Sequence, residues 1–147
     1  MDSVLFLFII LSAIGLVLSI VAHLASLVGL PIPGGKFVWS LHIGIFVVWF
    51  PAIIVAHRAS RGRPQRKLWT NVLSGLPSWV RYAVYTLFAY AMLNFLLFLD
   101  TTGSAPQPEG DAPPAVIRGF SGHWMLFYGA AFAILLSAYR SRRLLEK

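Results

Sequence analysis

The side chains of this sequence that are best suited to bind a metal or a cofactor are its four histidines, His23, His42, His57 and His123. The sequence contains no cysteine, which excludes disulfides, thiolate metal sites and cysteine nucleophiles. Neutral imidazoles bind zinc or copper, and two of them can hold a haem iron as axial ligands. Metal or haem binding is therefore the first chemistry that these residues suggest.

The acidic residues are few, and they are badly placed for catalysis inside a membrane. All five, Asp2, Asp100, Glu109, Asp111 and Glu146, lie at the ends of long apolar stretches or outside them. Carboxylate proton relays and di-iron carboxylate sites need acidic side chains within the spans, so neither is expected. A serine nucleophile beside a histidine would also lack a third, orienting acid. We therefore expect a protein that is not an enzyme.

Four long apolar stretches must position the histidines. They cover approximately residues 4–30, 37–57, 78–100 and 121–139. A helix rises about 1.5 Å per residue, so each stretch is long enough, or nearly so, to cross a hydrocarbon core of about 30 Å. Together with a hydrophobic content of 58% in 147 residues, these stretches predict one all-α integral membrane domain, a bundle of four transmembrane helices.

The basic residues are divided unevenly between the two sides of such a bundle. Of the twelve Lys and Arg residues, six lie between Arg58 and Arg81 and four in the tail 140–147, on the same side. The other side holds only Lys36 and Arg118. Because basic loops stay in the cytoplasm, this split predicts that both termini are cytoplasmic. The short loops favour a bacterial cytoplasmic membrane, and no nucleic-acid partner is expected despite the formal charge of +7.

The two longer connections have different compositions. In the first, apolar residues recur on one helical face over residues 66–76, which predicts a short amphipathic helix at the membrane surface. The basic residues before it are suited to anionic headgroups. The predicted membrane-surface residues are Arg58, Arg61, Arg63, Arg66, Lys67 and Trp69. The second connection, residues 101–120, is rich in proline and is predicted to be an irregular external loop.

Small residues predict which helix faces meet. In lipid, helices associate through close backbone approach and interhelical hydrogen bonds, so a line of small side chains indicates a packing face. The predicted packing residues are Ser12, Gly15, Ser19, Ala22, Ser26 and Gly29 in the first stretch and Gly122, Gly129 and Ala133 in the fourth. The third stretch offers Ala83, Thr86, Tyr90 and Asn94. The aromatic residues Trp39, Trp79, Trp124, Tyr82 and Tyr139 are predicted to form a belt facing lipid and headgroups.

Three histidines and one asparagine are predicted to lie in the same layer of the bundle. His23, His42, Asn94 and His123 lie near the external ends of their stretches, roughly 3–10 Å below the external surface. Because helical bundles hold cofactors between facing helices, these residues form a candidate site for one b-type haem. The three histidines alone are a candidate metal site. The alternative is that they are structural or interfacial, and for His42 the sequence leaves open whether it faces the interior or the lipid.

Three functions are compatible with these features. The first is a non-catalytic accessory or structural subunit of a membrane complex, with other membrane subunits or further copies of the chain as partners. The second is a membrane redox protein with one haem or histidine-bound metal near the external face. The third is a small transporter or channel, which four tightly packed spans could form only as an oligomer. The first is favoured, because it requires only the packing faces and basic surfaces.

Overall fold

A computed structural model of the chain describes residues 2–62, 64–102 and 114–145. Within these residues all regular elements are helical, and four helices are long and apolar enough to cross a membrane, as predicted. The α-helices are α1 (Asp2–Leu27), α2 (Ser40–Ser60), α3 (Leu68–Val72), α4 (Ser78–Thr102) and α5 (Pro114–Leu145). Short 3-10 turns, Gly35–Trp39 and Gln65–Lys67, precede α2 and α3.

Helix α5 lies at the centre, because α1, α2 and α4 all pack against it. Its apolar segment is 61% buried within the chain, whereas only 11% of the apolar segment of α4 is buried. The small side chains of Ala130, Ala131 and Ala133 are buried on α5 and let the neighbouring helices approach closely. Helices α1 and α2 also touch each other, and α4 makes its main contact with α5.

The helices alternate in direction around α5. His23 of α1 lies beside Ser121 near the start of α5, and Phe6 lies beside Tyr139 towards its end, so these two helices are antiparallel. Similar pairs show that α2 is parallel to α5 and that α4 is antiparallel to it. One end of the molecule therefore holds the start of α1, the end of α2, α3, the start of α4 and the end of α5.

This end is the basic end of the molecule. It carries Arg58, Arg61, Arg66, Lys67, Arg81, Arg140, Arg142 and Arg143. The opposite end, the histidine end, carries His23, His42 and His123, and its basic residues in the described part are Lys36 and Arg118. Charge is thus separated along the long axis of the molecule, whichever way the chain is inserted in a bilayer.

The small-residue face of α1 lies against α5. Its buried members are Ser12, Gly15, Ser19, Ala22 and Ser26. The hydroxyls of Ser12 and Ser19 donate to carbonyl oxygens of their own helix at 2.7 Å, so these serines provide space rather than interhelical hydrogen bonds. Gly15 is needed where it stands, because a Cβ there would overlap the ring of Tyr128. On α5, Gly122 and Ala133 are buried and Gly129 is half-buried.

Gly29 does not belong to this packing face. It lies two residues beyond the end of α1, exposed to the surroundings, with a φ of 69°. The amide of Leu30 donates to the carbonyl of Ala25 at 3.0 Å, which is the hydrogen bond expected when a left-handed glycine terminates a helix. In the sequence, Gly29 continues the three- and four-residue spacing of small residues. This spacing defines one face only within a helix, and α1 ends at Leu27.

Helix α5 is longer than the apolar pattern of residues 121–139. It begins at Pro114, a residue favoured in the first helical turn because its missing amide hydrogen is not needed there. It continues to Leu145, since arginines are good helix formers and are stabilised at the negative end of a helix dipole. Part of the predicted loop 101–120 is thus helical, and residues 103–113 lie outside the described part of the chain.

Two expectations about side-chain placement differ from the structure. Trp124 is fully buried between helices rather than exposed in an aromatic belt, whereas Trp79 and Tyr82 are largely exposed. On α4, Val84 and Ala91 are the buried residues. Ala83 and Thr86 are exposed instead, and Tyr90 is 38% exposed. Besides Val84 and Ala91, the larger side chains Leu87, Asn94 and Phe98 of α4 lie against glycines of α5.

The short helix α3 is anchored to the basic end of α5. Val72 is buried, and so is Leu73, which follows the helix. The amide of Gly75 donates to Ser137 Oγ at 3.0 Å. A Cβ on Gly75 would lie 2.7 Å from Ser141 Oγ and still nearer to the Ser137 carbonyl, so only glycine fits this close approach. The predicted surface helix 66–76 is thus one short helix with turns on both sides.

Candidate functional site

The structure divides the predicted polar layer into two groups on different faces of α5. His23 and Asn94 face the side of α5 that packs on α1 and α4. His42 and His123 contact each other on another side, with ring centroids 5.8 Å apart. Ser121, which binds His23, and His123 are two residues apart, or about 200° around a helix. The three histidines are therefore not brought to one point.

His23 is held by two neighbouring helices at once. Its Nδ1 lies 2.7 Å from Ser121 Oγ, and its Nε2 is hydrogen-bonded to the hydroxyl of Tyr90. Ser121 Oγ also lies 3.2 Å from the carbonyl oxygen of Arg118, and when it donates its one hydroxyl proton there, it accepts from Nδ1–H. Nε2 then accepts from the Tyr90 hydroxyl. Both imidazole nitrogens are occupied, and a metal at His23 would have to displace one of these partners.

Asn94 fastens α4 to the first turns of α5. Its Nδ2 donates to the carbonyl oxygen of Arg118 and lies 3.5 Å from that of Gly119. Gly122 permits this contact, because a Cβ there would lie 2.9 Å from the Asn94 amide nitrogen. The Arg118 carbonyl therefore accepts from both Ser121 and Asn94, and one polar network ties α1, α4 and α5 together at the histidine end.

His42 faces the interior of the helix assembly, which decides between the two orientations that the sequence allows. Its Nδ1 accepts a hydrogen bond from the indole Nε1–H of Trp124 at 3.0 Å. The neutral ring must then carry its proton on Nε2. Trp124 is fully buried, so this bond satisfies an indole donor that would otherwise be costly in an apolar interior.

Around His42 and His123 lies a cluster of aromatic rings. His123 makes edge-to-face contacts with Phe95, Phe120 and Phe127, at centroid distances of 5.4–6.4 Å. It is half-buried on the side of α5 between α2 and α4. Within the residues that the structure describes, no set of three His, Cys, Asp or Glu side chains is placed to hold a metal ion. His42 and His123 thus form a pair of adjoining imidazoles surrounded by aromatic rings.

The remaining predicted site residues lie at the basic end. His57, Arg58, Arg61, Arg66 and Lys67 are exposed. Trp69 is half-buried, and Arg63 lies outside the described residues. Helix α3 and the end of α2 form the walls of a cavity of about 590 Å³ here, which is lined by His57, Ser60 and Arg61 at its polar side and by Ile53, Trp69 and Ile134 elsewhere.

Sequence reasoning missed Tyr128, which connects three helices. Its hydroxyl donates to the carbonyl oxygen of Leu41 on α2 at 2.9 Å. Its ring occupies the space left by Gly15 on α1, and a Cβ on Gly44 would overlap its hydroxyl. The sequence feature that could have revealed this role is the pair Gly15 and Gly44, which lie on two different helices at the same depth as this buried tyrosine. Their relation becomes visible only when the order of the helices is known.

Comparison with protein-family models, with curated proteins and with solved structures finds no match for this chain.

Proposed function

We propose that this protein is a non-catalytic four-span subunit that associates with another membrane protein through the outer face of α4. In this proposal the basic end lies in the cytoplasm, with both chain termini, and the membrane is a bacterial cytoplasmic membrane. The distribution of arginines at one end supports this orientation, since basic segments are retained on the cytoplasmic side.

The observation that carries the proposal is the isolation of α4. Only 11% of its apolar segment is buried within the chain, and its one extensive contact is with α5. Ala83 and Thr86 point away from the rest of the chain, one turn apart. Small and hydroxyl-bearing residues in a span permit close helix contact and hydrogen bonds between helices, neither of which lipid tails can use. This face therefore suits a protein neighbour better than lipid.

The polar residues of the spans support the non-catalytic half of the proposal. Both ring nitrogens of His23 are hydrogen-bonded, one to Ser121 and the other to Tyr90. Asn94 binds backbone carbonyls of α5, and Trp124 donates to His42. Intramembrane polar residues are costly and mark function by default, unless they pair with one another. Here pairing between helices gives most of them a structural role.

Cysteine cross-linking tests the association, because the natural chain has no cysteine. We expect a Thr86→Cys variant that carries a benzophenone maleimide to give one discrete photo-cross-linked product in native membranes, because benzophenone inserts into C–H bonds and the neighbour needs no cysteine. Ile10→Cys is the matched control, since Ile10 is 41% exposed and both positions lie eight residues from the start of their helix at the basic end. The control is expected to give no discrete product.

The mass of the product identifies the neighbour. A hetero-complex supports an accessory subunit, whereas a dimer of the chain supports self-association, which an oligomeric channel or transporter would also require. No product from Thr86→Cys, or equal products at both positions, would show that α4 faces lipid and would remove the proposal.

A membrane redox protein remains the second candidate, because His42 and His123 are in contact, with their ring planes at 80°. Two imidazoles can ligate one b-type haem or contribute to a metal site. An absorption spectrum and elemental analysis of the purified protein separate the candidates. A Soret band or a bound metal that is lost in His123→Ala and retained in His57→Ala would establish the redox protein and contradict the subunit proposal.

A further inference from the structure

We propose that the cavity at the basic end binds one anionic phospholipid, with its phosphate at Arg61 and an acyl chain along α2 towards Trp49. Neither Ala83 and Thr86 of α4 nor the pair His42 and His123 lines this cavity. The proposed lipid occupies a defined site, which differs from the general attraction of a basic surface to lipid.

The lining of the cavity is divided into a polar and an apolar part, as an amphiphile requires. The polar part, His57, Ser60 and Arg61, comes from the last turn of α2 and the residue that follows it. The apolar part includes Ile53 and Ile134. With a volume of about 590 Å³, it lies in the range of ligand-sized pockets, roughly 300–1,000 Å³.

The cavity continues towards the middle of the membrane. A second cavity of about 420 Å³ shares Trp49 and Trp69 with the first, and its lining is otherwise aromatic and aliphatic, including Phe88, Phe127 and Ala130. Arg61 and Trp49 are twelve residues apart, which corresponds to about 18 Å along a helix. Half of a hydrocarbon core of about 30 Å is about 15 Å, so this length matches the chains of one leaflet.

The charge at the cavity mouth fits a phosphate. Arg61 is exposed, and its guanidinium makes no hydrogen bond to the residues that the structure describes. By contrast, Arg81 donates to Thr70 at 2.9 Å, and Arg143 donates to Tyr139 at 2.6 Å. Arg61 thus keeps its donors available beside the apolar part of the cavity, and arginine binds phosphate oxygens in a bidentate manner.

Ser60 and Gly62 also lie at the opening of this cavity. Ser60 Oγ donates to the carbonyl oxygen of Ala56 at 2.8 Å, so its hydroxyl proton is already used and the basic side chains must supply the donors. Gly62 has a φ of 71°, which turns the chain away from α2 directly after Arg61. This turn brings α3, and with it Trp69, back over the cavity as its second wall.

Quenching of tryptophan fluorescence by brominated lipid tests the site, because Trp49 and Trp69 line it. The purified chain is reconstituted in phosphatidylcholine vesicles that contain a small share of brominated phosphatidylglycerol or brominated phosphatidylcholine. We expect the anionic lipid to quench more strongly at equal concentration. Arg61→Gln should lower this preference about ten-fold or more, because a charge-assisted hydrogen bond to the phosphate (about 1.5 kcal/mol or more) is lost.

Two further variants separate a built site from a merely charged surface. Arg140→Gln removes the same charge from an exposed position at the same end and should lower the preference less, by at most the factor of about five for one basic residue at an anionic surface. Ala56→Phe keeps the charge but fills the cavity, and it should abolish the preference. Inorganic phosphate, which lacks acyl chains, should not reverse the quenching. Equal losses in Arg61→Gln and Arg140→Gln, or an unchanged preference in Ala56→Phe, would overturn the proposal.

Discussion

His23 shows how a membrane changes the role of a single residue. In water an imidazole loses little when it is unpaired, but within a span each unsatisfied polar group is costly, so the ring must find partners for both nitrogens. Ser121 and Tyr90, on two other helices, supply them. A residue that could have been a ligand is thereby made into a connection between three helices.

We expect His23→Ala to destabilise the protein by about 1–3 kcal/mol, because two interhelical hydrogen bonds are lost and each contributes roughly 0.6–1.7 kcal/mol in a membrane protein. Ser19→Ala, also fully buried on α1, should cost less than about 0.5 kcal/mol, since its hydroxyl bonds only within its own helix. Thermal unfolding in detergent measures both. Equal costs for the two variants would show that the His23 bonds add nothing.

For individual residues, the sequence predicted the depth of the polar side chains along their helices, but not the groups to which they are hydrogen-bonded. His42, Asn94 and His123 do lie at one end of the molecule, yet depth along a helix says nothing about its rotation relative to its neighbours. Of the two tyrosines that complete the hydrogen bonds, Tyr90 is predicted from the sequence only as a packing residue, and no role is predicted for Tyr128. Their hydroxyls gain meaning only from the helix opposite.

Among the elements, α5 determines the arrangement, although its composition is the least apolar of the four spans. Its mean hydropathy is 1.3, against 3.1 for α1, because it exchanges lipid contact for helix contact. The small residues that were predicted to pack do lie in α1 and α5, except Gly29, which follows α1. The length of α5 and the exposed face of α4 were not predicted, because they depend on neighbouring helices. Contact between spans is set by shape complementarity, which hydropathy does not contain.

Three helices contact one another at Tyr128, which lies between Gly15 of α1 and Gly44 of α2. We expect Gly15→Ala to destabilise the protein by about 1–3 kcal/mol, because its Cβ would overlap the tyrosine ring and force a packing change. In a Tyr128→Ala background the same substitution should cost much less, since the obstacle is gone.

A double-mutant cycle of unfolding free energies measures this coupling between α1 and α5. Additive effects of the two substitutions would contradict direct contact at this point, while a coupling of about 1 kcal/mol or more supports it.

For the whole molecule, the separation of charge and of polar side chains along one axis is the dominant property. The basic end carries the arginines and the lipid-sized cavity, and the histidine end carries the interhelical polar network. The alternating directions of the four long helices place the start of α1 and the end of α5 at the same end. Hydropathy was sufficient to predict four helices that are long and apolar enough to cross a membrane, because this feature depends on the solvent and not on individual contacts.

In the proposed arrangement four helices cross a membrane with the basic end in the cytoplasm, and single-cysteine labelling in spheroplasts tests this directly. Pro33→Cys lies in the connection at the histidine end and Ser74→Cys in that at the basic end, both at exposed positions of a chain without natural cysteines. A membrane-impermeant maleimide should label the Pro33→Cys variant in intact spheroplasts and the Ser74→Cys variant only after lysis. Labelling of both from outside, or of Ser74→Cys alone, would contradict the account.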